Sequence, residues 1–402
     1  MKLEVSSKNI KLRAILTAVA FVIAVVAFTV GIVNIGHKDP GYHLIEAKVD
    51  KDTILLNKEV GFKYWFDGSS NDIKHGINDL IAVYSPVIST IYKELDHQNT
   101  YEGVVNIATI NRSQGQFLTV APELYSVLKD AYRLTLEQRG YNMFAGALYS
   151  EWKSILILDE PEDFDPANNP DMAARIAAIA AMVSDLSNFS LEFDDAGRAV
   201  RFSVSESYER FCRDYEIDAP ALDLNLLKDA YLLETVASGL GLNENGYLYT
   251  PEGLVLNMKQ TGSLGYDLYT YENGSDTVYA TVNLEGRFSG AAFTASGMGS
   301  YYHYVLSTVG SNASNASNAS NNPNGSNASN LYRHLYFNSK TGSFSDILMS
   351  ATVISMDGNL VDDVYQTIIL NTFGTEAEVA AYAASLEKDG KLVSYIFQSA
   401  GN

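Results

Sequence analysis

The run from Ala14 to Gly36 contains no charged residue over 23 positions. At about 1.5 Å per helical residue, that length crosses a hydrocarbon core of roughly 30 Å. Lys2, Lys8, Lys11 and Arg13 precede it, and basic flanks stay on the cytoplasmic side. The expected order is a cytoplasmic tail over residues 1–13, a transmembrane anchor over 14–36, a linker over 37–58 and a folded extracytoplasmic domain over 59–402. The apolar stretch exceeds a usual signal-peptide core, and no small-x-small cleavage pattern follows it. No cysteine stands near its end, which excludes lipoprotein anchoring.

The rest of the chain is long enough for one large or two medium folded units. The whole chain has 402 residues, 47% of them hydrophobic. Its formal net charge of −20 repels phosphate backbones and excludes nucleic acid as a natural partner. The single cysteine, Cys212, rules out an internal disulfide and any multi-cysteine metal site. In its aliphatic and aromatic setting it reads as a small core residue.

Periodicity sets out an α+β protein. Val60 to Asp67 alternates as a strand. Asp72 to Leu95 has helical spacing, with an interruption expected at Pro86. Ala121 to Arg139 is the clearest helix: Pro122 suits its first turn, Leu124, Val127, Leu128, Ala131 and Leu134 make one stripe, and Gly140 stops it. Met172 to Leu186 and Leu224 to Leu240 read as helices. Ser190 to Val204 reads as a hairpin about Asp194 to Gly197. Short strands rich in Tyr, Val and Thr are expected between Gly246 and Val309. Residues 311–330, SNASNASNASNNPNGSNASN, hold no large apolar side chain and are expected to be a disordered insertion. A strand near 350–356, helices over 362–372 and 376–386, and a strand over 393–397 complete the chain.

Chemistry concentrates between Tyr332 and Thr372. Asp363 and Thr367 stand four positions apart, on one face of a helix. One charged and one neutral oxygen donor suit Mg²⁺, which takes few protein ligands and fills its shell with water and phosphate. A capped helix following a strand fits the same spacing, so both readings stay open.

Several stretches resemble, in order, the ApbE family of FAD:protein FMN transferases. In YRHLYFNSKTG, His334 matches the first of the family's paired histidines, and Thr341 and Gly342 match its Thr-Gly. Leu335 replaces the second histidine, and Asn338-Ser339 replaces Asp-Pro. Asp363 and Thr367 match the family's Asp-Ala-x-x-Thr. Gly140 to Trp152 resembles the block ending at a tryptophan. LDLNLLKDAY (222–231) resembles Leu-Asp-Leu-Gly-Gly-x-Ala-Lys-Gly-Tyr, one residue shorter: Asp223 and Lys228 match, while Asn225 and Leu226 stand where the glycines should be. Ser296 and Gly297 match the family's Ser-Gly strand end.

The resemblance implies an ApbE-like, T-fold-related arrangement: layers of mostly antiparallel sheet with flanking helices. It implies FAD as substrate and Mg²⁺ as metal, with Asp363 and Thr367 as metal ligands. Asp223, Lys228, Ser296, Gly297, Thr341 and Gly342 would line the nucleotide, and His334 would be the base. The implied reaction moves FMN from FAD to a Thr or Ser of an extracytoplasmic flavoprotein partner. The lost glycines and histidine set a second reading beside it, a relative that keeps the fold and binds a flavin, nucleotide or protein without transfer chemistry.

Overall fold

The computed structural model describes residues 38–158, 161–241, 245–251, 253–258, 262–272, 275–294, 305–308, 329–344 and 347–397. Fourteen strands are defined among them: β1 (Gly41–Leu44), β2 (Gly61–Phe66), β3 (Phe117–Thr119), β4 (Phe189–Asp194), β5 (Ala199–Val204), β6 (Gly246–Tyr249), β7 (Val255–Asn257), β8 (Ser263–Glu272), β9 (Ser275–Glu285), β10 (Phe288–Thr294), β11 (Val305–Thr308), β12 (Ser329–Tyr332), β13 (Leu348–Ser355) and β14 (Leu392–Phe397). The main sheet runs β1-β2-β6-β7-β10-β13-β14, and every neighbouring pair is antiparallel. A second sheet runs β3-β5-β4, and β8-β9 and β11-β12 form two-stranded ribbons.

Among the described residues, ten α-helices flank the sheets: α1 (Leu56–Glu59), α2 (Ser70–Glu94), α3 (Ile107–Arg112), α4 (Pro122–Leu136), α5 (Gly146–Leu156), α6 (Pro170–Ser184), α7 (Glu206–Asp214), α8 (Lys228–Leu240), α9 (Leu360–Leu370) and α10 (Glu376–Lys388). Helix α9 lies across β10 and β13 and also packs on α8, while α8 packs on α2. Most of its side chains are therefore buried, Asp363 and Thr367 included. Asn359 caps its start by accepting the Asp362 N–H at 3.0 Å. The main core gathers the buried faces of α2, α4, α5, α6, α8 and α9. A smaller cluster under β8 and β9 contains Tyr266, Leu268, Leu284 and Phe288.

Two expectations change. Pro86 does not interrupt its helix, because α2 runs unbroken from Ser70 to Glu94. Tyr84, Ser85 and Ile88 around it are buried, and Ser85 Oγ donates to the Ile81 carbonyl at 2.6 Å. Tertiary packing here outweighs the lost helical hydrogen bond. Within the stretch read as linker, residues 41–44 form the edge strand β1, with Tyr42 opposite Trp65.

Helix α4 carries the expected stripe, with Pro122 in its first turn. Its stop falls at Gln138, whose φ is +52°, followed by Gly140 at +105°. No helix of the described residues is long and apolar enough to cross a membrane. Residues 14–36, Ser296, Gly297 and 311–328 lie outside the described residues. The flanking strands β11 and β12 pair in register, Val305 opposite Tyr332.

Candidate functional site

Asp363 is fully buried and holds three donors. Its Oδ2 accepts Ser289 Oγ at 2.6 Å and Ser355 Oγ at 2.9 Å. Those serines face each other across β10 and β13, with 3.0 Å between their hydroxyls. Its Oδ1 accepts the Lys391 ammonium at 2.8 Å. Lys391 stands just before β14 and also pairs with Asp362 at 2.8 Å. Burial pushes the Asp363 carboxyl up to about 6, against the pull of Lys391 and the two serines. Burial also works against the Lys391 ammonium, but Asp363 and Asp362 outweigh it and raise its pKa. At neutral pH the corner is an ion pair. Thr367 is equally buried, and its hydroxyl donates to the Asp363 carbonyl at 2.8 Å.

The two metal candidates thus do not converge on an open point. The position beside Oδ1 holds a cation of the chain itself, and Oδ2 is occupied by two hydroxyl donors. A divalent ion there would face an ammonium on the same carboxylate. The residues present do not fit Mg²⁺.

A second region brings three separated stretches together. Ser339 Oγ donates to the Gly140 carbonyl at 2.6 Å, and Tyr141 Oη to the Leu224 carbonyl at 3.2 Å. Asn225 Nδ2 reaches the Asn142 carbonyl at 3.2 Å, and Trp152 Nε1 reaches the Gly342 carbonyl at 2.9 Å. The space left between Gly140, Asn142, Ser184 and Ser339 is about 20 Å³. That holds roughly one water molecule. Asn225 has a left-handed φ of +52°, a conformation that glycine takes freely and asparagine tolerates.

A cleft of about 950 Å³ opens between α3, α5, α7 and the loop 217–223. His97 and Asp223 stand on its wall, with Nδ1 3.4 Å from Oδ1. Asp223 also accepts the Asn225 N–H at 2.9 Å. Burial lowers the His97 pKa. The carboxylate of Asp223 opposes this, and the ammonium groups of Lys228 and Lys153 reinforce it.

No protein-family model matches the chain, and no curated protein matches it. Solved structures do. An ApbE protein from Thermotoga maritima superposes with a TM-score of 0.51 at 13% identity, covering 84% of this chain and 91% of that one. The fold is that of the ApbE proteins. The flavin transferase ApbE from Vibrio cholerae matches with a TM-score of 0.46 at 13% identity, covering 85% and 94%.

Within this ApbE fold, the remaining matched residues take local roles. His334 is buried, its Nδ1 accepts the Tyr336 N–H at 3.0 Å, and its ring meets Phe344 edge-on. Lys228 sets its ammonium 5.1 Å from the Tyr92 ring centroid. Thr341 is exposed and shares a 2.6 Å hydrogen bond with Ser343. Gly342 has a φ of +71°, and a Cβ there would meet Ile176 Cγ2 at 2.8 Å. Asp223 meets His97 in the cleft, apart from the Asp363 corner. Sequence reasoning missed Lys391, Ser289, Ser355 and His97. Lys391 follows Lys388-Asp389-Gly390, a stretch that reads as an ordinary charged turn.

Proposed function

We propose that this chain is a membrane-tethered protein of ApbE fold that acts by binding and not by metal-dependent transfer of FMN from FAD. One observation carries this reading: the Lys391 ammonium lies on Asp363, where the resemblance asks for Mg²⁺. A fixed cation neutralises the carboxylate. It offers no open coordination position through which a phosphate could be polarised. In this reading residues 14–36 anchor the chain, and residues 59–402 face an extracytoplasmic partner.

The second reading is FMN transfer to a Thr or Ser of such a partner, and the fold likeness alone favours it. The two are separated by incubating the purified full-length protein with FAD and Mg²⁺. The expected result is no AMP release and no Mg²⁺-dependent FAD binding by calorimetry. AMP release that disappears in Asp363→Asn would overturn the proposal.

A further inference from the structure

The two faces of the main sheet are covered differently. On one face, the Phe62 ring of β2 lies 4.9 Å from that of Tyr84 on α2, and Ser289 of β10 reaches Asp363 on α9. Lys63 and Trp65 alternate to the other face. Residues directly opposite in the register share a face, so Trp65 stands there with Tyr42, and Lys63 with Leu44 and Tyr247. The neighbouring row runs from Gly61 through Tyr249 and Val255 to Gly290. At Gly290 the ribbon β8-β9 takes over: Tyr266 crosses so closely that a Cβ on this glycine would meet its ring at 2.7 Å. The ribbon packs over β10 and β13. Over β1, β2 and β6 the same face carries Tyr42, Leu44, Lys63, Trp65, Tyr247 and Tyr249. None of the six is buried, and Leu44 is 49% exposed.

These side chains hold one another. Tyr42 meets Trp65 and Tyr247 edge-on at 5.1 and 5.2 Å, and the Lys63 ammonium lies 5.8 and 5.6 Å from the Tyr247 and Tyr249 ring centroids. In a chain with 48 acidic and 28 basic residues, the outward positions of these three strands hold a cation and no carboxylate. Asp39, Glu46 and Asp67 stand beyond the strand ends, and Asp67 takes the Trp65 indole N–H at 2.9 Å. Tyrosine, tryptophan and lysine each join an apolar body to a polar tip, which suits a boundary between hydrocarbon and water. The path of the chain brings such a boundary close. Gly36 closes the uncharged run and Gly41 opens the edge strand β1, and the stretch between them spans at most about 18 Å.

We propose that the outer face of β1, β2 and β6 rests on the bilayer that carries the anchor, with its Tyr and Trp rings at the level of the lipid headgroups. This rests on the membrane-tethered reading given above. The tether keeps the face at high local concentration beside the lipid, so modest interfacial contacts suffice to dock it. The helices on the opposite face of the sheet then point away from the membrane, towards a partner.

The chain has two tryptophans. Trp152 is 2% exposed and bonded to the Gly342 carbonyl, so Trp65 reports on this face. The test reconstitutes the full-length protein in phosphatidylcholine vesicles, with and without lipids brominated near the headgroup end of their acyl chains, and floats the vesicles. Brominated lipid is expected to quench Trp65 about twofold or more, while Trp152 emission persists. Trp65→Phe should remove the quenched part. Leu44→Glu combined with Lys63→Glu, both outside the core, should abolish most of the quenching and leave flotation and the melting temperature unchanged. Protein that floats with Trp65 unquenched would overturn the inference and leave the tether standing, with a protein partner or a second copy as occupant of the face. Quenching that persists in the double variant would overturn it as well. Protein that fails to float would overturn both the tether and the docked face.

Discussion

Replacing Lys391 with methionine tests the reasoning at the Asp363 corner most directly. The variant keeps an apolar stem of similar length but removes the ammonium. Asp363 is fully buried and the Lys391 side chain is 11% exposed, so solvent screens the pair little. Removing one partner of a buried pair costs about 3–5 kcal/mol. The carboxyl has one escape, which is to keep its proton. Its pKa already stands at about 6 with the ammonium in place, and losing that attraction raises it further. Above about pH 6 the unfolded carboxyl is ionised, while the folded variant stays protonated. The folded state then binds more protons than the unfolded one, so stability falls as pH rises, by up to about 1.4 kcal/mol per unit. The parent carboxyl is about half protonated in the folded state near pH 6 and ionised in both states above about pH 7, so this group gives the parent a slope only at the lower end of that range. The stability gap should therefore widen by up to about 2 kcal/mol between about pH 6 and about pH 8. Urea denaturation followed by circular dichroism at both pH values reads it out. A gap that stays constant with pH, or one below about 1 kcal/mol at the upper pH, would show that Asp363 does not depend on Lys391.

Millimolar Mg²⁺ should leave the melting temperature of the parent protein unchanged, whereas Mn²⁺ should stabilise Lys391→Ala, in which Oδ1 is freed; differential scanning fluorimetry compares the two. Glu234 on α8 accepts the Val361 N–H at 2.9 Å, and burial pushes its pKa up to about 7. Its raised pKa means the fold loses stability as pH climbs from 4.5 to about 7, and Glu234→Gln should flatten that decline in a pH series of urea denaturations. Gly342→Ala places a side chain on a left-handed backbone and against Ile176, so a loss of about 1–3 kcal/mol is expected in chemical denaturation.

Local chemistry made much of the architecture legible. The stripe of α4, the hairpin of β4 and β5, and helices α6, α8, α9 and α10 follow from periodicity and turn residues, which act over a few positions. The fold itself followed from motif order along the chain. The corner around Asp363 did not. Spacing placed Asp363 and Thr367 on one helix, and both are there, but spacing does not say which way a hydroxyl turns. Thr367 satisfies itself on the preceding turn of its own helix. Lys391 lies 28 positions from Asp363, and His97 reaches Asp223 across more than a hundred. Those contacts depend on how elements pack, and no local pattern encodes them. Pro86 shows the same limit in reverse, where burial overrides a residue that ordinarily breaks a helix.

The late segment around residues 333–344 ties itself to elements made long before it. Ser339 bonds Gly140 across 199 positions, Gly342 bonds Trp152 across 190, and buried Arg333 pairs with Asp165 across 168. Contacts so remote in the chain form slowly, because a large loop must close first. During synthesis the ribosome delivers α4, α5 and α6 well before their clasp emerges. Their unclosed apolar faces then need shelter from neighbouring chains, and production should fail first by aggregation of truncated products ending before residue 333.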